Sequence, residues 1–230
     1  MRQRAWLGCS GRPLAESRPV TQLYPALAAV AAYLVGSLAF AVLVSRAMGL
    51  ADPRTFGSRN PGATNVLRSG SKAAAVVTLL LDALKGFVPV LLVRLYGRRW
   101  GLEDGTVALV AVGAFMGHLY PVFLRFLGGK GVATFIGVVF GVHWLLGIAT
   151  GLTWIIVAVF FRYSSLSSLV SGAFAPLYYL LMDRVAPWYA DRRIAAALFA
   201  MALFLAWRHR ENISRLIAGT ESRLGAKKSA

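Results

Sequence analysis

The chain has 230 residues, 57% of them hydrophobic and 15% charged, with a mean hydropathy of +0.62 and a formal net charge of +16. So apolar a composition excludes an ordinary soluble domain. It turns the positive charge from a nucleic-acid signal into one of Lys/Arg-rich loops beside anionic lipids and anionic substrates. With Cys9 as the single cysteine and three histidines outside any His-Glu-x-x-His pattern, no disulfide, metal site or cofactor is expected.

Residues 1–22 are polar and basic, and their short apolar stretch cannot serve as a signal-peptide core. They are expected to form a disordered basic tail, followed by a membrane-embedded unit over 23–221 and a basic C-terminal tail over 222–230. The apolar run 24–44 suffices for one crossing, at about 20 residues per span. Gly36-Ser37 within it permits close helix packing. Residues 46–72 then form a polar loop, longer than a passive connection needs. Ser71 is placed to cap a second span over 73–95. Asp82 and Lys85 interrupt that span on one face, either as an internal ion pair or as groups that shape a site. A third span is expected over 106–126. The uncharged run 132–161 is too long for one upright helix, and a helical hairpin turning between Gly141 and Gly147 fits it best. Spans over 166–182 and 194–207 follow. There is no internal repeat and no separate soluble domain. The expected fold is an all-α integral membrane protein, a bundle of about seven transmembrane helices. Lys and Arg concentrate in the loops at 46–72, 125–130 and 162–165 and in the C-terminal tail, which places those segments on the cytoplasmic side. The arginines of the N-terminal tail oppose that bias without reversing it.

Three polar segments share that side. The first is Ser58-Arg-Asn-Pro-Gly-Ala-Thr-Asn-Val-Leu-Arg68. Pro61-Gly62 signals a turn whose following N–H groups can form an anion nest, flanked by Asn60, Thr64 and Asn65. Arg68 has the fork geometry to grip a phosphate. The second runs from Gly117-His118 to Gly128-Gly129-Lys130-Gly131. Glycines that break an apolar run around one lysine suit close backbone approach to an anion. A lysine there is equally a topology determinant, and His118, inside a span, is either a packed histidine or a functional one. The third continues out of the last span, where His209, Asn212 and Leu216 share one helical face. An interfacial amphipathic helix has the same pattern.

These segments resemble the three motifs of the bacterial acyl-phosphate glycerol-3-phosphate acyltransferases, the PlsY family. Ser58-x-Asn60-x-Gly62-Ala-Thr64-Asn65 is similar to the first. Gly117-His118-x-x-Pro121-x-Phe123 with Gly128-Gly129-Lys130-Gly131-Val-Ala-Thr134 is similar to the second. His209-x-x-Asn212-Ile-x-Arg215-Leu216-x-x-Gly219-x-Glu221 is similar to the third. The resemblance covers residues 24–221. It implies a multi-pass enzyme of the bacterial cytoplasmic (inner) membrane that moves a fatty acyl group from acyl phosphate to the 1-hydroxyl of glycerol 3-phosphate. The products would be lysophosphatidic acid and phosphate, in the first step of phospholipid biosynthesis. Two positions depart from the family pattern: Arg59 replaces a usual glycine, and Ala39 a common proline, so no proline kink is expected at Ala39.

Both substrates are anions, so cations and N–H donors are what the site requires. Ser58, Arg68, Lys130, His209 and Asn212 are the expected catalytic residues. Asn60, Gly62, Thr64, Asn65, His118, Gly128, Gly129 and Gly131 are the expected substrate-binding residues. The expected partners are glycerol 3-phosphate, a fatty acyl phosphate and membrane lipids, with no nucleic acid. The hydroxyl proton has two candidate acceptors, a substrate phosphate oxygen or His209. A transporter or channel for an organic phosphate anion is the alternative, although such proteins often carry internal repeats and midplane sites. Acyltransferases that use acyl-CoA through a His-x4-Asp pair are disfavoured, because none of His118, His143 or His209 has an aspartate at that spacing.

Overall fold

The computed structural model describes residues 23–225; the tail expected over 1–22, with Cys9, and residues 226–230 lie outside the described residues. The described residues form ten α-helices with short 3-10 turns between some of them, and contain no strand. In chain order these are α1 Tyr24–Gly36, α2 Phe40–Ala47, α3 Ala63–Val66, α4 Lys72–Tyr96, α5 Asp104–Leu119, α6 Val132–Val142, α7 Trp144–Phe161, α8 Ser164–Leu181, α9 Arg192–Arg208 and α10 Arg210–Ile217.

Among the described residues, four stretches are long and apolar enough to cross a membrane: Tyr24–Ala47, Lys72–Trp100, Asp104–Leu124 and Trp144–Phe161. The other long helices fall short of that measure. α6 has 11 residues, α9 has 17, and α8 opens on a serine-rich turn. The fold is therefore an all-helical membrane protein in which four crossings, rather than all seven expected, are marked by length and apolarity.

Local chemistry sets the helix boundaries. Ser71 Oγ accepts from the Ala74 N–H at 3.2 Å and starts α4. The break between α6 and α7 falls at His143, extended at φ −159°, whose Nδ1 accepts from the Leu145 N–H. The first span is also broken: α1 ends at Gly36 and α2 begins at Phe40. Ala39 stands where the family commonly has proline, yet the break is present and other contacts hold it. Ser37 Oγ donates to Tyr33 O at 2.8 Å, and Lys85 Nζ of α4 donates to Leu38 O at 2.7 Å.

Between helices in lipid, close packing rather than transfer from water supplies the stability. At the α4–α6 contact, a side chain at Gly137 would collide with the Ala83 carbonyl, and one at Gly86 with that of Thr134. Only the glycines allow that approach. Phe115, Leu119, Phe135, Leu146, Leu198 and Leu205 form the closed interior. Phe160, Leu181 and Leu203 face outward, as lipid contacts do. The polar junctions α2–α4, α5–α6, α7–α8 and α9–α10 meet at one end, where side chains join them directly.

Candidate active site

The first wall is the loop between α2 and α4. Asn65 is its buried pin: Oδ1 accepts from the Ser58 N–H at 3.0 Å, and Nδ2 donates to Pro53 O at 2.6 Å and Phe56 O at 3.2 Å. Its polar atoms are thus engaged in shaping the loop, and they present Ser58 at an exposed edge. Asn60 and Gly62 are half-buried in the turn before α3, where the Gly62 N–H donates to Asn60 O, and Thr64 faces out. Arg68 projects from the turn after α3. Its stem passes Gly57, where an added side chain would press on it, and its guanidinium donates to Ser222 Oγ at 3.2 Å.

The second wall is the segment between α5 and α6. The Gly129 N–H donates to His118 O at 3.1 Å. The carbonyls of Gly128 and Gly129 accept from Arg208 Nη2 and Nε, at 2.7 and 3.1 Å. A side chain at Gly129 would occupy the place of the His118 imidazole, and one at Gly131, at φ +83°, would strike Phe115 and Leu119. Of the N–H groups expected as anion donors here, that of Gly129 is already engaged. The first-turn N–H groups of α6, which begin just past Lys130, are the ones that helix geometry leaves for an anion. His118 is buried, with Nδ1 turned towards Asp82 at 3.6 Å.

Lys130 itself reaches the third segment, donating from Nζ to Asn212 Oδ1. Burial lowers its pKa to about 8, against the opposing pull of the Glu221 carboxylate. It is a cation that is easily discharged.

The third wall is the α9–α10 junction. His209 is buried, and Nδ1 lies 2.8 Å from Leu205 O. A carbonyl only accepts, so Nδ1 carries the proton and Nε2 the lone pair. Burial pushes the His209 pKa down to about 4, so the ring is neutral near pH 7. Asn212 Nδ2 donates to Glu221 Oε1 at 2.6 Å. Ser165 Oγ donates to the same oxygen at 2.7 Å, and Arg215 Nε to Oε2 at 2.7 Å. Burial works against the Glu221 carboxylate, but hydrogen bonds from Asn212, Ser165 and Arg215 outweigh it and hold its pKa below the usual value.

A continuous path thus joins the three segments: Arg68 to Ser222, next in the chain to Glu221, then Asn212, then Lys130. Ser58, Arg68, Lys130, His209 and Asn212 stand at one end of the bundle. Asn65 and His118 lie behind it. Several contributors carried no sequence signal. Ser165 sits in a serine-rich stretch, and Arg208 resembles any arginine at a helix end. Ser222 fell in the expected tail, yet residues 222–224 are tied down, with Leu224 paired to Arg162 through both backbone groups.

Comparison with known proteins gives a consistent set of relatives. The family model for glycerol-3-phosphate acyltransferase matches residues 26–219. A protein named glycerol-3-phosphate acyltransferase from Albidiferax ferrireducens is 63% identical over 204 residues, 89% of this chain and 91% of its own. One of the same name from Ralstonia nicotianae is 59% identical over 200 residues, 87% and 94% of the two chains. Among solved structures, the glycerol 3-phosphate form of PlsY (YgiH), described as an integral membrane glycerol 3-phosphate acyltransferase, aligns with a TM-score of 0.77 at 35% identity. That alignment covers 87% of this chain and 96% of the other. The lysophosphatidic acid form of PlsY aligns with a TM-score of 0.76 at 34% identity, over 87% and 95%.

Proposed function

The chain belongs to the glycerol-3-phosphate acyltransferase family, and on that premise we propose that it moves a fatty acyl group from an acyl phosphate to the 1-hydroxyl of glycerol 3-phosphate. The observation that carries this reading is the path from Arg68 through Ser222, Glu221 and Asn212 to Lys130. It links two cations at one end of the bundle, near the neutral His209 imidazole, which suits two phosphate-bearing substrates. The PlsY forms with glycerol 3-phosphate and with lysophosphatidic acid, similar over most of the chain, support the same substrate and product.

The chemistry needs little beyond alignment, because an acyl phosphate is already activated. The 1-hydroxyl oxygen attacks the acyl carbonyl carbon, the carbon–oxygen bond to phosphate breaks, and phosphate leaves. Arg68 and Lys130 hold the phosphates and offset the charge that grows on the departing group. Ser58 and Asn212 are placed to hydrogen-bond the reacting groups. With a pKa of about 4, His209 is a weak base at neutral pH. A phosphate oxygen, whose second pKa is about 6, is the better-matched acceptor of the hydroxyl proton. That leaves His209 Nε2 to accept a hydrogen bond and orient the hydroxyl. Acyl chains enter sideways from the bilayer between the apolar helices. The Lys/Arg-rich end that carries the site faces the cytoplasm of a bacterial inner membrane.

Purified protein given palmitoyl phosphate and labelled glycerol 3-phosphate is expected to form lysophosphatidic acid and inorganic phosphate one for one. Folded protein that makes neither product overturns the reading. Uptake of the phosphate ester into proteoliposomes without conversion would replace it with transport.

A further inference from the structure

Asp82, Lys85 and His118 are buried together inside the helix bundle, with 2%, 4% and 7% of their surfaces exposed. Charged groups in a membrane interior are costly, and packed apolar residues often stabilise such a position as well or better. A bare ion pair therefore has no evident reason to be there. Its neighbours supply one. Lys85 Nζ lies 2.8 Å from Asp82 Oδ1 and donates to Leu38 O, a carbonyl in the break between α1 and α2. On its other side, Asp82 Oδ1 faces His118 Nδ1 at 3.6 Å. Thr134 Oγ1, at the start of α6, donates to the Asp82 carbonyl at 2.9 Å.

His118 passes this anchoring on to the glycine segment by two contacts. Its carbonyl accepts the Gly129 N–H, and its ring fills the space where a Gly129 side chain would stand. Arg208 grips the same two glycines by their carbonyls. A cavity of about 10 Å³ is bordered by Asp82, Lys85, His118 and Gly129 together with Pro61 of the first segment. The cluster thus borders two of the three walls of the site, with its charged atoms buried from solvent.

We infer that Asp82, Lys85 and His118 form a positioning cluster that fixes the backbone of residues 128–130, and through it the place of Lys130 in the site. The ion pair orients the imidazole, the imidazole seats Gly129, and Gly129 carries the next residue, the phosphate-holding lysine. Lys85 also ties the broken first span to the same point, so one cluster keeps α1, α4, α5 and the glycine segment in register. The inference rests on the acyltransferase reading, because the readout is turnover.

Removing one charge alone leaves the other buried and unpaired, which is strongly destabilising for reasons unrelated to catalysis. The informative variant is the neutral double exchange Asp82→Asn/Lys85→Gln, purified in detergent beside the wild type. A wild type without turnover would fail the acyltransferase reading and leave the variant comparison no bearing on it. With an active wild type, the double variant is expected to fold and to lose about tenfold or more in kcat, because misplacement of a reacting group by an ångström is costly. Its alkaline limb of kcat/KM is expected to move upward, because Lys130 is then less enclosed while Glu221, Arg215, Glu211 and Arg208 around it are unchanged. A folded double variant with native kcat and an unmoved limb overturns the inference. If the double variant does not fold, His118→Phe decides, since it keeps the ring and loses the nitrogen facing Asp82. The same loss and the same shifted limb support the cluster, and native kinetics overturn it. Loss in His118→Phe with native kinetics in the double variant also overturns it, and makes His118 a substrate contact instead.

Discussion

Lys130 owes its chemistry to where its chain is held. Glycines on both sides, the Arg208 clamp and the Asn212 amide keep its ammonium largely out of water, and this enclosure brings the pKa to about 8. On the proposed reading it is the protonated form that binds phosphate, so the useful charge is present below that value and is lost as pH rises through it. In the acyltransferase assay, kcat/KM is expected to fall about tenfold per pH unit on an alkaline limb centred near 8. In Lys130→Arg that limb should vanish from the accessible range, since a guanidinium stays charged. A wild-type profile flat up to pH 10 would count against Lys130 as the phosphate cation. Sequence reading singled out this lysine because glycines around a charge in an apolar run suit an anion site, with a topology determinant as the equal alternative. It did not find Glu221 as the acceptor of three side chains, because a carboxylate at the polar end of a motif looks the same whether solvated or enclosed.

At the scale of elements, the apolar runs placed most helices within a few residues, because the lipid-spanning length leaves little freedom. The breaks were harder to read. His143 splits the 132–161 run where glycines pointed, but the split of the first span depends on Lys85, 47 positions away, donating to Leu38 O. No local pattern reports such a contact. The 48–62 loop shows the converse: Arg59 stands where the resemblance implied glycine, and its backbone takes φ +54°, a region that L side chains enter at a cost. Arg59→Gly is therefore expected to raise stability by about 1 kcal/mol, read as a higher midpoint of thermal unfolding in detergent. A lower midpoint would mean that the arginine side chain makes contacts outweighing that strain.

Across the whole molecule, the arrangement is a bundle whose lipid-facing surface is apolar and whose polar junctions converge at one end. The three segments are separated in the chain by whole spans, and only the antiparallel return of the helices brings them together. Motif order alone could suggest that meeting, while the hydrogen bonds from Arg68 to Ser222 and from Lys130 to Asn212 specify it. The central claim is that these two cations serve one reaction at one opening. Its most direct test is kcat/KM with acyl phosphate and glycerol 3-phosphate for Arg68→Ala and Lys130→Ala, each confirmed folded and inserted. Each is expected to lose about a hundredfold or more, the scale of removing one preorganised donor from a developing charge. Wild-type rates in either folded variant would contradict the account.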